Sequence, residues 1–156
     1  MDTEVSTIEP FVRAPAAGST LDVLGVTHIY KATGAETAGS FSLWEAVVPP
    51  GAGAPPHTHT NEDHAFIVLM GEVEFVGPNG EKTYLRKNQG ILLPRNCLYT
   101  FTAAASQPLV MLRVGATVDP DKSPYARVLA DGTPMIGNSK ENNAIPCKFK
   151  PGAFFR

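Results

Sequence analysis

Glycine and proline interrupt this chain so often that they constrain its fold more than any other feature. Fourteen glycines and fourteen prolines are spread over 156 residues. The segments between them are short apolar runs, and no long amphipathic helical period occurs among them. Many short strands with Gly/Pro turns indicate an all-β sandwich or barrel, with a jelly roll among the candidates. At this length the chain is predicted to form one domain with a sizeable core.

The predicted strands follow one another along most of the chain. The clearest pair is Glu72–Val76 and Glu81–Leu85, because Asn79-Gly80 between two alternating runs is a strong hairpin signal. The other predicted strands are Leu21–Leu24, His28–Lys31, Phe41–Val48, His64–Met70, Gly90–Pro94, Leu98–Thr102 and Pro108–Val114. We expect an N-terminal arm over residues 1–18 and the barrel over residues 19–116. Residues 117–156 are expected to be an irregular C-terminal extension that packs on the barrel or on a partner subunit.

Composition excludes several classes of function. Charged residues make up 18% of the chain, the formal net charge is −2, and no basic cluster indicates binding to nucleic acid or an anionic membrane. No apolar run has the length of a membrane span, and the acidic start lacks the pattern of a signal peptide. Cys97 and Cys147 do not form a CxxC pair. A disulfide between them stays open, but a reducing cytoplasm is the simpler expectation.

Three of the four histidines lie within Gly51–Gly71, and they are the sharpest chemical signal in the sequence. His57 and His59 are two residues apart, so an extended strand would project both from one face. The polar segment 60–63 is predicted to be a tight turn that brings His64 back towards them on the next strand. Because imidazole is the commonest protein metal ligand, we expect these residues to bind one divalent transition metal: Fe, Mn, Ni, Cu or Zn. The alternative is two surface histidines and one hydrogen-bonded core histidine.

The spacing Gly51-x5-His57-x-His59-x4-His64-x6-Gly71 resembles the first motif of the cupins. The stretch from Gly90 to Tyr99, with Pro94 inside it, resembles the second. The resemblance covers about residues 43–114 and is greatest to single-domain, quercetinase-like cupins, whose members include metal-dependent dioxygenases. It implies a cupin jelly roll, a double-stranded β-helix barrel with a metal held inside by three histidines and one glutamate, often in a homodimer.

Two ligand positions depart from the cupin pattern. His64 stands where the family has glutamate, and Tyr99 stands where it has the last histidine. A site of three histidines remains possible, since three protein ligands and an open position are typical of catalytic zinc and iron centres. Tyr99 is predicted to be either a fourth ligand, as phenolate, or a hydrogen-bond donor to substrate. Asn96 replaces a glycine, but asparagine also tolerates a left-handed turn.

Other residues are predicted to serve substrate and catalysis. Glu62, beside the histidines, is a candidate acid or base together with Tyr99, and the alternative for Glu62 is an exposed charged turn. His28 and Trp44 are interpreted as structural. A mainly apolar pocket, or plain core, would be lined by residues with the interior parity of their strands: Phe66, Val68, Met70, Phe75, Cys97 and Phe101.

The predicted function is that of a metal-dependent, dioxygenase-like oxidoreductase. Its substrate would be a small aromatic or enol-type molecule whose oxygens the metal binds and polarises. Two alternatives stay open, because one barrel hosts many chemistries. The first is a non-redox isomerase, cyclase or lyase of the same fold, and the second is a small-molecule-binding cupin without metal. A cytoplasmic homodimer is expected in each case.

Overall fold

Ten short strands form the fold of the described residues, which are 8–59 and 62–117 of a computed structural model. A single 3-10 turn, Ala35–Thr37, is the one helical element in these ranges. The strands are β1 (Thr20–Val23), β2 (Val26–Ala32), β3 (Phe41–Val48), β4 (Gly53–His57), β5 (Glu62–Met70), β6 (Val73–Val76), β7 (Lys82–Leu85), β8 (Gly90–Leu93), β9 (Tyr99–Ala103) and β10 (Leu109–Thr117). The all-β prediction is therefore confirmed.

The strands pair into two antiparallel sheets. The six-stranded sheet has the order β1-β2-β3-β10-β5-β8, and the four-stranded sheet has the order β4-β9-β6-β7. Strands distant in sequence are neighbours in both sheets, as in a jelly roll, which confirms the predicted architecture. The hairpin of β6 and β7 is also confirmed, although its loop spans residues 77–81. Gly77 N donates to Glu81 O at 2.8 Å to close that loop.

The core lies between the sheets and takes side chains from both. Alternating residues of β3 point inward, including Trp44, because successive side chains of a strand point to opposite faces. Phe66 from the larger sheet stacks on Phe75 from the smaller one, with ring centroids 5.7 Å apart. Phe75 in turn packs against Phe101, with centroids 5.8 Å apart. Burial of each such side chain contributes roughly 1.5–3 kcal/mol.

Both faces of β5 carry apolar side chains, but only one of them is buried. Only the inward face is covered, and Ile67 and Leu69 on the other face are exposed. Met70 is wrongly placed by parity, since it is 47% exposed and lies outside the core. The cause is a β-bulge in β5: Met111 of β10 pairs with Val68 and the preceding residue of β10 pairs with Met70, so Leu69 is the extra, unpaired residue. The bulge ends the inward alternation at Val68.

The segment from residue 8 to the start of β1 contains no strand. Arg13 ties it to β2 and the 3-10 turn, by donating to the Lys31 carbonyl at 3.2 Å and pairing with Glu36. No helix in the described part of the chain is long and apolar enough to cross a membrane. The predicted C-terminal extension lies outside the described residues except for Thr117.

Candidate metal centre

Three buried side chains at the junction of β4 and β5 converge on one point. His59 follows β4, and Glu62 and His64 open β5. Their nitrogen and carboxylate ligand atoms all lie within 4.8 Å of one another. Glu62 and His64 are two residues apart on a strand, so both project inward. The rings of His59 and His64 stack with centroids 4.0 Å apart, and Nε2 of His64 donates to Oε2 of Glu62 at 3.0 Å.

The alternative prediction of an exposed charged turn at Glu62 is wrong. Glu62 is the first residue of β5 and is only 1% exposed. The strand begins earlier than predicted, because Asp63 also belongs to it. Asp63 points the other way, where its carboxylate accepts a hydrogen bond from Arg95 N at 2.8 Å. The alternation of the two carboxylates therefore separates a buried glutamate from a surface aspartate.

His57 lies beside the compact group but does not belong to it. Its Nδ1–H donates to the Pro55 carbonyl at 2.7 Å, which leaves Nε2 as the acceptor or ligand atom. Its ring centroid is 5.0 Å from that of His59. The expected cluster of three histidines is thus rearranged: Glu62 takes the third place of the compact group, and His57 lies at its side.

Tyr99 opens β9 and is paired in register with His57 on β4. The two ring centroids are 4.4 Å apart, so the predicted proximity of Tyr99 to the histidines is observed. Burial raises the pKa of Tyr99 to about 12, although the positive charge of Arg113 opposes the rise. The side chain is therefore a neutral phenol at neutral pH, a form that favours hydrogen-bond donation. Asn96, just before β9, has the left-handed backbone (φ 63°) that was expected to be tolerated.

The imidazoles of the centre are held in the neutral form. Burial lowers the pKa of His57, and it lowers the pKa values of His59 and His64 well below the ordinary value of 6.5. Neighbouring positive charge, from Arg113 and from the other histidines, adds to this effect. Neutral imidazole is the form that ligates metals, so the site does not need to lose imidazolium protons before it binds a cation.

Arg113 is the residue of the site that the sequence analysis missed. It lies on β10, in register with Trp44 on β3 and Phe66 on β5, and is 4% exposed. Its guanidinium carbon is 4.3 Å from the ring centroid of Phe66 and 5.2 Å from that of Trp44. A signal was present, because Arg113 has the parity of the buried Leu109 and Met111.

Most of the predicted pocket residues do meet in the interior beside this centre. Met70 is the exception, and the bulge accounts for it. Cys97 is buried and disulfide-bonded, so it is not a free thiol. The residues that the structure brings together are Phe66, Val68, Phe75, Cys97 and Phe101.

The donor set fits a divalent transition metal. Two neutral imidazoles and one carboxylate converge in a buried position, with a further imidazole and a phenol alongside. Imidazole suits zinc, copper, iron and nickel, and two histidines with one carboxylate are the ligand set of many non-haem iron(II) centres. The residues present are therefore chemically competent to hold such an ion.

Comparisons with known proteins agree with this architecture. The family model described as Cupin_2, cupin domain, matches residues 44–115. No curated protein matches the chain. Among solved structures, KdgF from Halomonas sp. is 20% identical, with a TM-score of 0.59 over 71% of this chain and 97% of that one. The polyketide cyclase RemF from Streptomyces resistomycificus is 26% identical, with a TM-score of 0.54 over 69% of this chain and 75% of RemF.

A third similar structure is the iron(II) form of HppE, at 15% identity and a TM-score of 0.59. The match covers 68% of this chain but only 60% of HppE, less than two thirds of its length. The matched family domain contains the whole histidine segment and both Trp44 and Arg113. With its two-sheet jelly roll and buried histidine cluster, the chain contains a cupin domain over residues 44–115.

Proposed function

We propose that this protein is a metal-dependent, dioxygenase-like oxidoreductase that acts on a small aromatic or enol-type substrate. The observation that carries the proposal is the compact group of His59, Glu62 and His64, whose ligand atoms all lie within 4.8 Å of one another. Two histidines and one carboxylate with open positions are the donor set used by non-haem iron(II) oxygenases. The same group argues against the alternative of a cupin that binds no metal.

The residues of the chain divide the remaining work between them. A bound metal would accept the oxygens of a substrate at its open positions and polarise them. Phe66, Phe75 and Phe101 offer an apolar, aromatic wall that packs on the substrate and excludes water. Tyr99 would donate a hydrogen bond to a substrate oxygen, since its phenol keeps its proton at neutral pH. Glu62, predicted as a base, is assigned here as a ligand because of its place in the compact group.

A non-redox cyclase is the second candidate. Its support is the likeness to RemF, which is named a polyketide cyclase and is 26% identical over 69% of this chain. In that case His57 and Tyr99, which face each other across β4 and β9, would move protons on and off an enolic substrate. The fold and the aromatic wall would serve both reactions equally.

Oxygen dependence separates the two candidates. Protein reconstituted with iron(II) is incubated with catechols, flavonols and 1,3-diketones, with dissolved oxygen and products followed together. Turnover that consumes oxygen, is lost with His59→Ala and survives in Asp63→Asn would support the oxygenase. Turnover that continues without oxygen and with zinc would indicate the cyclase. If no divalent metal supports turnover of these substrate classes, the proposed function is refuted.

We also propose that the protein acts as a homodimer. Three apolar side chains, Ile67, Leu69 and Leu92, are exposed on the outer face of the neighbouring strands β5 and β8. A contiguous apolar patch of this kind on a soluble domain favours an interface. The edge position of β8 in the six-stranded sheet gives a second copy room to approach.

A further inference from the structure

Arg113 brings a positive charge into the core, where none of the ion pairs among the described residues includes it. The side chain is 4% exposed, its guanidinium lies near enough to Tyr99 to counteract the rise in the pKa of that phenol, and its Nε has no hydrogen-bond partner. The carboxylate of the metal centre, on Glu62, accepts a hydrogen bond from His64. Burying a guanidinium outside an ion pair costs several kcal/mol. This cost favours the binding of an anion beside it.

Aromatic rings hold the guanidinium but cannot neutralise it. Phe66, Trp44 and Phe101 have ring centroids 4.3, 5.2 and 5.6 Å from its central carbon. Such contacts contribute roughly 0.5–2 kcal/mol each and leave the full charge in place. They also fix the plane of the fork, because the register of β10 sets Arg113 between Trp44 and Phe66. The result is a rigid cation, oriented in advance.

This cation lies next to the metal centre. Phe66, on which the guanidinium rests, has its ring centroid 5.9 Å from that of His64 and 6.1 Å from that of Tyr99. Gly115, two residues further along β10, is in register with His64. A small planar molecule against the Phe66 wall could therefore reach the metal ligands and the guanidinium together. The aromatic rings and the guanidinium charge of Arg113 are two independent features that would bind one ligand at the same position.

We propose that Arg113 recognises the anionic group of the ligand, so that the substrate binds as an aromatic carboxylate or as an enolate. The planar fork of arginine matches a pair of carboxylate or enolate oxygens better than the point charge of lysine does. That the ligand is a substrate rests on the function proposed above, but the binding of an anion by Arg113 does not. Arg113 is thus a specificity-determining residue for the charge of the ligand.

Matched ligand pairs test this inference without any turnover. Benzoate is compared with neutral benzamide, and dimedone, as its enolate in mildly basic buffer, is compared with its methyl enol ether. Binding to the full-length protein is measured by calorimetry, and for the benzoate pair also by the fluorescence of Trp44, the one tryptophan of the chain. The variants are Arg113→Met, Arg113→Lys and, as an exposed arginine control, Arg86→Met.

We expect the wild type and Arg86→Met to prefer at least one anion over its neutral partner by roughly tenfold or more, as a charge-assisted bidentate contact allows. Arg113→Met should remove that preference. A preference within the benzoate pair would indicate a carboxylate ligand, and a preference within the dimedone pair would indicate an enolate. A wild type without preference, or a preference that survives Arg113→Met, overturns the proposal. If Arg113→Met does not fold, Arg113→Lys decides: weaker anion binding with unchanged binding of the neutral partner supports the proposal, and unchanged anion binding overturns it.

The same titrations, in metal-free and metal-loaded protein, separate this inference from the proposed function. Arg113-dependent anion binding without any turnover would leave the anion site standing and refute the enzyme. Turnover combined with an anion preference that does not depend on Arg113 would support the enzyme and refute the anion site.

Discussion

His28 makes the stability of this fold dependent on pH in a way that can be measured. Its ring is 6% exposed and stacks on Trp44, with centroids 6.2 Å apart and an interplanar angle of 13°. Burial, with help from the nearby charge of Arg113, lowers the pKa of His28 from 6.5 to about 3. The folded protein therefore keeps this imidazole neutral at pH values where the unfolded chain protonates it.

The size of the effect follows from that pKa difference. Above the unfolded pKa of 6.5 the group contributes no penalty, and stability is lost as the pH falls from there towards the folded pKa of about 3. Each pH unit in this window costs about 1.4 kcal/mol, so going from about pH 7 to about pH 5 costs about 2 kcal/mol for His28 alone. The pKa values of His57, His59 and His64 are lowered too, and they steepen the loss in the same direction.

The variant His28→Phe isolates this single contribution, because phenylalanine keeps a ring on Trp44 and cannot titrate. Metal-free wild type and variant are unfolded in urea at both pH values, and far-UV circular dichroism gives the free energy of unfolding. The wild type should lose about 2 kcal/mol more than the variant on acidification. The same loss in both proteins would refute the interpretation that His28 is buried as a neutral side chain.

Two further predictions concern the metal centre and the dimer. Gly115→Ala should weaken metal affinity roughly tenfold or more while the protein still folds, because its Cβ would lie 3.3 Å from Nε2 of His64 and from the Trp44 ring, and displaced ligands lose affinity on this scale. Metal titration by calorimetry measures the effect, and an affinity equal to that of the wild type would contradict the close approach of Gly115 to His64. Leu92→Glu should give monomers by light scattering, whereas Tyr84→Glu, on an exposed part of the other sheet, should not. A Leu92→Glu variant that stays dimeric would place the interface elsewhere.

Strand positions could be predicted from the sequence because the local signals agreed with the tertiary structure. Phe41–Val48 was predicted with the observed bounds, since its alternation continues to the end of β3. The exposure of the Met70 side chain could not be predicted from the neighbouring sequence. It depends on a bulge in β5 that is defined by the pairing of this strand with β10, whose residues lie some forty positions later in the chain.

In the candidate site, the assumption that a charged residue is exposed to solvent is wrong at two positions. Glu62 lies in a polar segment that resembles a surface turn, and Arg113 is a single charge in an apolar run. Both are nevertheless buried, and both have the parity of buried neighbours, Glu62 with His64 and Arg113 with Met111. The alternation of side chains along the strand therefore predicts burial correctly at both positions. What the sequence could not show is that β5 begins as early as Glu62 and that β10 lies between β3 and β5.

The most direct test of the metal centre is the metal content of the purified protein and of two neighbouring carboxylate variants. Elemental analysis is made after reconstitution with iron(II) and removal of free metal, for the wild type, Glu62→Gln and Asp63→Asn. If Glu62 is a ligand and Asp63 a surface residue, the wild type and Asp63→Asn should hold stoichiometric metal. Glu62→Gln should bind it about 10- to 100-fold more weakly, the loss that even an outer-shell partner causes. A Glu62→Gln protein that keeps its metal as tightly as Asp63→Asn would contradict the assignment of the centre.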